Sequence, residues 1–265
     1  MTRSITLGQY MPGESLIHRL NPRIKLLAML LTLILLFSLN SYSSLAGLLI
    51  IALLVLIAAR IPFSYFLRGL RPIIYIAFFA LIIFFFFTKG GVVLLRVGSI
   101  TVESEGVREG LFVITRLITL VLFSLIVTLT TTPLSLTYGI SYFLKPLRHL
   151  GLPTEEVAMI MAIALRFIPT LMEESQRLMR AQMARGADFE TGSIFRKAKN
   201  LVPLIVPLFI SAFRRADELA LAMEARGYRL GAKRTRMYED IVAPIDWAAL
   251  LFVVMLLTLA LYLGL

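Results

Sequence analysis

The stretch LFVITRLITLVLFSLIVTLTT, from Leu111 to Thr131, carries one ionisable residue, Arg116, in a run long enough to cross a membrane. A hydrocarbon core about 30 Å thick takes roughly 20 residues of helix. Outward from this run lie others of the same kind: Ile24–Leu39, Leu45–Ala59, Pro72–Thr88 and Trp247–Leu265. Leu45–Ala59 is short, but Ser43, Ser44 and Arg60 at its ends suit the interfaces. The fold class is therefore all-α, a polytopic membrane helical bundle of about five transmembrane helices. A charged helical region is inserted before the last span. The expected boundaries are 1–132 for transmembrane helices 1–4, 133–245 for the cytoplasmic helices and 246–265 for the last span.

Composition agrees: 58% of residues are hydrophobic and the mean hydropathy is +0.85, more than an ordinary soluble fold accommodates. The first 23 residues are polar, with Pro12, Gly13 and the Asn21-Pro22 pair, and lack the apolar stretch of a cleavable signal. With no cysteine, disulfides, thiolate metal sites and cysteine nucleophiles are excluded. His18 and His149 are too few for a histidine-rich metal site, so neither metal nor cofactor is expected.

The net charge of +11 is a question of sidedness. Arg19, Arg23 and Lys25 precede the first span, and Arg60, Arg68 and Arg71 fill the loop between the second and third. Both sets lie inside if the N-terminus is cytoplasmic. Lys89, Arg96 and Arg108, balanced by Glu103, Glu105 and Glu109, then fall outside. Fourteen basic residues against seven acidic ones between Arg166 and Arg236 put most of the surplus in the cytoplasmic region.

That region reads as helical. An amphipathic piece at Leu134–Leu150 ends at Gly151-Leu152-Pro153. Thr154 is expected to N-cap a long helix with Glu155 and Glu156 in its first turn, bent at Pro169 and stopped by Gly186. A second helix starts near Ser193, carries Pro203 and Pro207, and stops at Gly227. Met172, Met179 and Met183, beside Leu171 and Leu178, read as packing against the neighbouring helix, with a sliding surface as the alternative. Both helices end in the same tripeptide, Ala184-Arg185-Gly186 and Ala225-Arg226-Gly227, the arginines 41 positions apart. Arginine favours the negative helix end and glycine stops the helix, so one copy would be ordinary. Two copies look like two equivalent plugs, because a guanidinium fork holds a carboxylate through two parallel hydrogen bonds.

The chain resembles the transmembrane (T) component of energy-coupling factor transporters, the EcfT family, CbiQ- and BioN-like. The resemblance covers nearly the whole chain. It rests on Gly8-Gln9-Tyr10, on Pro12-Gly13-Glu14-Ser15, on His18-Arg19-Leu20-Asn21-Pro22-Arg23-Ile24-Lys25, on Leu165-Arg166-Phe167-Ile168-Pro169, and on the two Ala-Arg-Gly ends. The family more often has Asp where this chain has Asn21. The resemblance implies two ABC-type ATPases, EcfA-like and identical or homologous, docked on Ala184, Arg185, Gly186, Ala225, Arg226 and Gly227. It also implies a small substrate-binding S component, uptake of vitamins or metal ions, and a prokaryotic plasma membrane.

No nucleotide-binding loop of the Gly-rich, Lys-Ser/Thr kind occurs, so the chain is expected to be non-catalytic, with ATP hydrolysed by its partners. An intramembrane lipid-modifying enzyme, the alternative, needs a catalytic acid or histidine at the interface. A lone secondary transporter would usually place acids within its spans, and the first three have none. Arg116 either snorkels or meets a helix carbonyl, and Asp246 and Trp247 read as interfacial anchors. Nucleic acid is not an expected partner, since the basic residues are interleaved with apolar runs. Phe84–Phe87 reads as lipid or helix contact.

Overall fold

The computed structural model describes residues 10–97, 100–151, 153–189, 193–229, 231 and 242–262. Gly8 and Gln9 of the N-terminal signature, Glu190, Lys233, Arg234 and Arg236, and the last three residues expected in the final span lie outside them. The chain forms two units, 1–140 with 239–265, and 141–238.

The first unit is a bundle of α2 (Pro22–Ser38), α3 (Tyr42–Ala58), α4 (Phe63–Phe87), α5 (Ser104–Thr130) and α9 (Pro244–Tyr262). A short α1 (Leu16–Arg19) precedes it and α6 (Pro133–Leu144) begins in it. At 1.5 Å per residue, α4 and α5 are each about 38–40 Å long and span alone. The other three are shorter and largely apolar. The exterior is apolar, as lipid contact requires: Tyr75, Phe78, Phe79 and Phe87 of α4 are 77%, 66%, 65% and 80% exposed.

Helix α5 is the axis. Its Leu122, Leu125, Ile126 and Leu129 pack with Ala52 and Leu56 of α3 and Phe66 of α4. Its Phe112 joins a second cluster with Leu35 and Leu36 of α2 and Leu45 and Leu48 of α3. The contact with α4 is closest at Gly106 and Gly110, where a Cβ would lie 2.6 Å from the Phe84 carbonyl oxygen and 3.4 Å from the Phe84 Cβ. This Gly-x-x-x-Gly pair lets two backbones meet in a medium where apolar burial gives no drive. The aromatic run divides accordingly: Phe84 faces α5, whereas Phe86 and Phe87 face outward.

The stretch with Arg68 and Arg71 is not a loop. It is the first part of α4, which passes through Pro72 and begins nine residues earlier than expected. Proline removes one ladder hydrogen bond, a loss tolerated in membrane helices where neighbouring groups make it good. The Arg68 guanidinium lies over the Tyr65 ring at 5.5 Å and stays at the surface. Between α4 and α5 the chain folds back as an antiparallel hairpin, β1 (Val93–Val97) with β2 (Ile100–Glu103), an addition to the all-α bundle. Its base is closed by the Ser104 hydroxyl, which accepts from the Val92 amide at 3.0 Å.

The second unit contains a 3-10 turn (Lys145–Leu150), α7 (Thr154–Ala184) and α8 (Ile194–Ala225). Pro153, not Thr154, occupies the N-cap of α7, and Thr154 opens the helix with its side chain buried.

Alanine in a helix normally outperforms glycine by about 1 kcal/mol. At Gly106 the added methyl meets a backbone oxygen, so Gly106→Ala should lower the thermal midpoint of the detergent-solubilised chain, by overpacking of about 1–3 kcal/mol. Gly47→Ala, whose Cβ meets nothing within 4 Å, should hold or raise it.

Candidate functional site

The two Ala-Arg-Gly ends close through the same hydrogen bonds. In α7 the Gly186 amide donates to the Met183 carbonyl at 3.0 Å and the Ala187 amide to Gln182 at 3.0 Å. In α8 the Gly227 amide donates to Glu224 at 2.9 Å and the Tyr228 amide to Met223 at 3.0 Å. Each is a complete Schellman motif with arginine at the C-cap and glycine at C′. Gly186 and Gly227 have φ of 88° and 74°, the region that excludes most side chains, and nothing crowds either position. Conformation, not space, requires glycine there. Ala184, Arg185, Gly186, Ala225, Arg226 and Gly227 are all exposed.

An ion pair between Glu174 of α7 and Arg215 of α8, at 3.9 Å, ties the two helices. Glu174 precedes Arg185 by eleven positions, and Arg215 precedes Arg226 by eleven. Each helix thus carries its arginine about 16 Å beyond the shared contact. The methionine-bearing face is partly buried at Met172 and Met179, and exposed at Met183.

In the first unit the N-terminal signature builds a polar node. Ser15 N-caps α1 and its hydroxyl meets His18 Nδ1 at 2.6 Å, while His18 Nε2 reaches the Met11 carbonyl at 3.0 Å. Lys25, buried, donates to the Thr130 carbonyl at 2.8 Å, and to the Thr131 hydroxyl and His18 carbonyl at 3.3 Å. Asp246 is not an interfacial anchor but is 2% exposed. It accepts the Asn21 amide at 2.7 Å and the Ala243 amide at 2.8 Å. The second bond runs from the third residue of α9 back to the residue before the helix, as in a capping box; the first caps α2 with the same carboxylate. Sequence reading missed this role because Asn21 and Asp246 are 225 positions apart. Arg116 meets a carbonyl just past the end of α2: it donates to Leu39, the residue after the helix, at 2.5 Å and lies over the Phe112 ring at 4.7 Å.

The family described as "Cobalt transport protein", CbiQ, matches residues 13–238. Proteins called "Energy-coupling factor transporter transmembrane protein EcfT" align along most of the length. That of Brevibacillus brevis is 48% identical over 89% of each chain, that of Clostridium kluyveri 44% over 98% of this chain and 97% of its own, and that of Bacillus subtilis 42% over 99% of each. The chain belongs to the EcfT family. It is a transmembrane component of energy-coupling factor transporters, and Ser15, His18, Asn21 and Lys25 brace its first unit internally.

Two outcomes test this geometry. Gly186→Ala or Gly227→Ala forces a side chain into the left-handed region at about 1–2 kcal/mol, so amide exchange at the affected helix end should rise roughly 5–30-fold by hydrogen-exchange mass spectrometry. Lys25→Met removes three charge-assisted hydrogen bonds, each worth about 1.5–3 kcal/mol; it should lower the thermal midpoint clearly, whereas Arg68→Met at the surface should leave it nearly unchanged.

Proposed function

We propose that this chain is the non-catalytic, force-transmitting subunit of an ATP-driven importer of vitamins or metal ions. Two ABC-type ATPases, identical or homologous, dock on the ends of α7 and α8, and an S component captures the substrate. The observation that carries this reading is the pair of exposed, identically hydrogen-bonded Ala-Arg-Gly ends. Each cap fixes the backbone from which its arginine projects, and a carboxylate in a partner groove is the guanidinium's natural acceptor. Arg185 and Arg226 are the central contacts; the flanking alanines and glycines permit close approach.

In this reading residues 133–245 face the cytoplasm of a prokaryotic cell, as does the N-terminus, and 1–132 with 246–265 lie in the plasma membrane. The excess of lysine and arginine between Arg166 and Arg236 supports that orientation. Closure of the ATPase dimer on ATP draws the two helix ends with it. The helices carry that displacement to the S component, which tilts and opens its substrate site inward. The S component selects the substrate. The name of the EcfT relatives, which places them in energy-coupling factor transporters, supports this assembly.

The test is co-purification of the chain from its native membrane in mild detergent, with mass spectrometry of its companions. Wild type should bring two ATPase subunits and one or more small membrane proteins. Arg185→Glu with Arg226→Glu should cut ATPase recovery at least about tenfold while insertion persists, since reversing a charge in a buried pair costs several kcal/mol. Either single substitution should leave partial assembly. Normal ATPase recovery with the double variant sinks the docking role.

A further inference from the structure

Three clefts of the first unit share walls. A polar cleft of about 430 Å³ between Arg19, Lys25 and Asp246 shares Lys25 and Thr130 with a half-open apolar slot of about 210 Å³ among α2, α3, α5 and α9. The slot in turn shares Leu35, Leu48 and Leu256 with a third cleft of about 300 Å³ that reaches Ser43 and Ser44. Through these shared walls they follow one another along α2 from Lys25 to Leu39, roughly 20 Å at 1.5 Å per residue. The path is polar at one end and apolar for the rest.

We propose that this path holds one phospholipid, with an acyl chain in the slot and the phosphate in the polar cleft beside Arg19. Water is a poor occupant along most of the slot, because Thr32 already spends its hydroxyl proton on the Ala28 carbonyl and the walls there are apolar; the buried Thr130 hydroxyl, which has no partner among the described residues, lies at the end shared with the polar cleft. An apolar cavity of about 150 Å³ already holds benzene, so this longer slot has room for hydrocarbon. Empty, its walls forgo dispersion contacts that a chain supplies. The polar end has matching charge. Lys25 has committed its three protons and Asp246 both its oxygens, which leaves the exposed Arg19, the last residue of α1, as the guanidinium facing the cleft. A phosphate complements that cation.

Ala249 lines the slot and its neighbour Ala248 is exposed, which gives a matched pair of substitutions. The full chain, purified in mild detergent from its membrane, should retain one phospholipid in native mass spectrometry after washes that strip the rest. Ala249→Phe should reduce that occupancy at least about tenfold by filling the chain's space, whereas Ala248→Phe should not. Arg19→Glu should weaken retention of anionic phospholipid. In wild-type protein in vesicles, a phospholipid with a photoactivatable acyl chain should label α2 and α9 around Met29 and Val253 more densely than the outer face of α4. That measurement decides the matter even if Ala249→Phe fails to fold. Equal retention by Ala249→Phe and wild type, no lipid on the wild type, or label no denser at the slot than on α4 would overturn the proposal.

Discussion

Lys25 and Asp246 hold one end of the bundle together, and each does so at helix termini. The ammonium donates to carbonyls near the ends of α1 and α5, where helix dipoles are negative. The carboxylate accepts amides at the starts of α2 and α9, where they are positive. Three regions distant in sequence, α1 with α2, α5 and α9, are thereby fixed by two side chains. In an apolar medium such groups have no water to fall back on, so the penalty for misplacing α9 is an orphaned amide and an orphaned charge. This makes the last helix, which packs mainly on α2, as well determined as the central ones.

What the sequence revealed, and what it hid, follows the range of the interactions. The spans were legible because lipid imposes composition on every residue that faces it. The ends of α7 and α8 were legible because arginine and glycine at a helix stop act through hydrogen bonds within six residues. Arg116 was legible as a cation needing a carbonyl, although not that Leu39 would supply it. Asp246 was misread because its partner lies at the other end of the chain. The start of α4 was misplaced because Arg68, Arg71 and Pro72 together resemble a loop. A helix tolerates them where cations can remain at its surface and the lost hydrogen bond is replaced. The close approach at Gly106 and Gly110 was present as a Gly-x-x-x-Gly spacing, but its meaning depends on Phe84 lying opposite.

The two Ala-Arg-Gly ends pose a question that the structure answers locally. Equivalent helix ends suggest a duplicated domain, yet the helices share no longer repeat. A Schellman cap needs little more than a residue able to adopt positive φ, and it then sets the course of the backbone on both sides. Two unrelated amphipathic helices can therefore present one arginine geometry. The Glu174–Arg215 pair lies eleven positions before each arginine, so the two ends extend equally from one shared contact.

That economy explains why the flanks are free to differ. Asp188 follows one glycine by two positions and Tyr228 follows the other directly, so the electrostatic surroundings of the two arginines are unlike even though their caps coincide. Glu224 lies two positions before Arg226, so each arginine has an acid close by but on a different side, and charged neighbours tune association more through steering and discrimination than through the central contact. In the docking proposed above, identical caps with unlike flanks suit two partners that share a groove but differ at its rim, and they serve equally well two copies of one ATPase whose rims tolerate both.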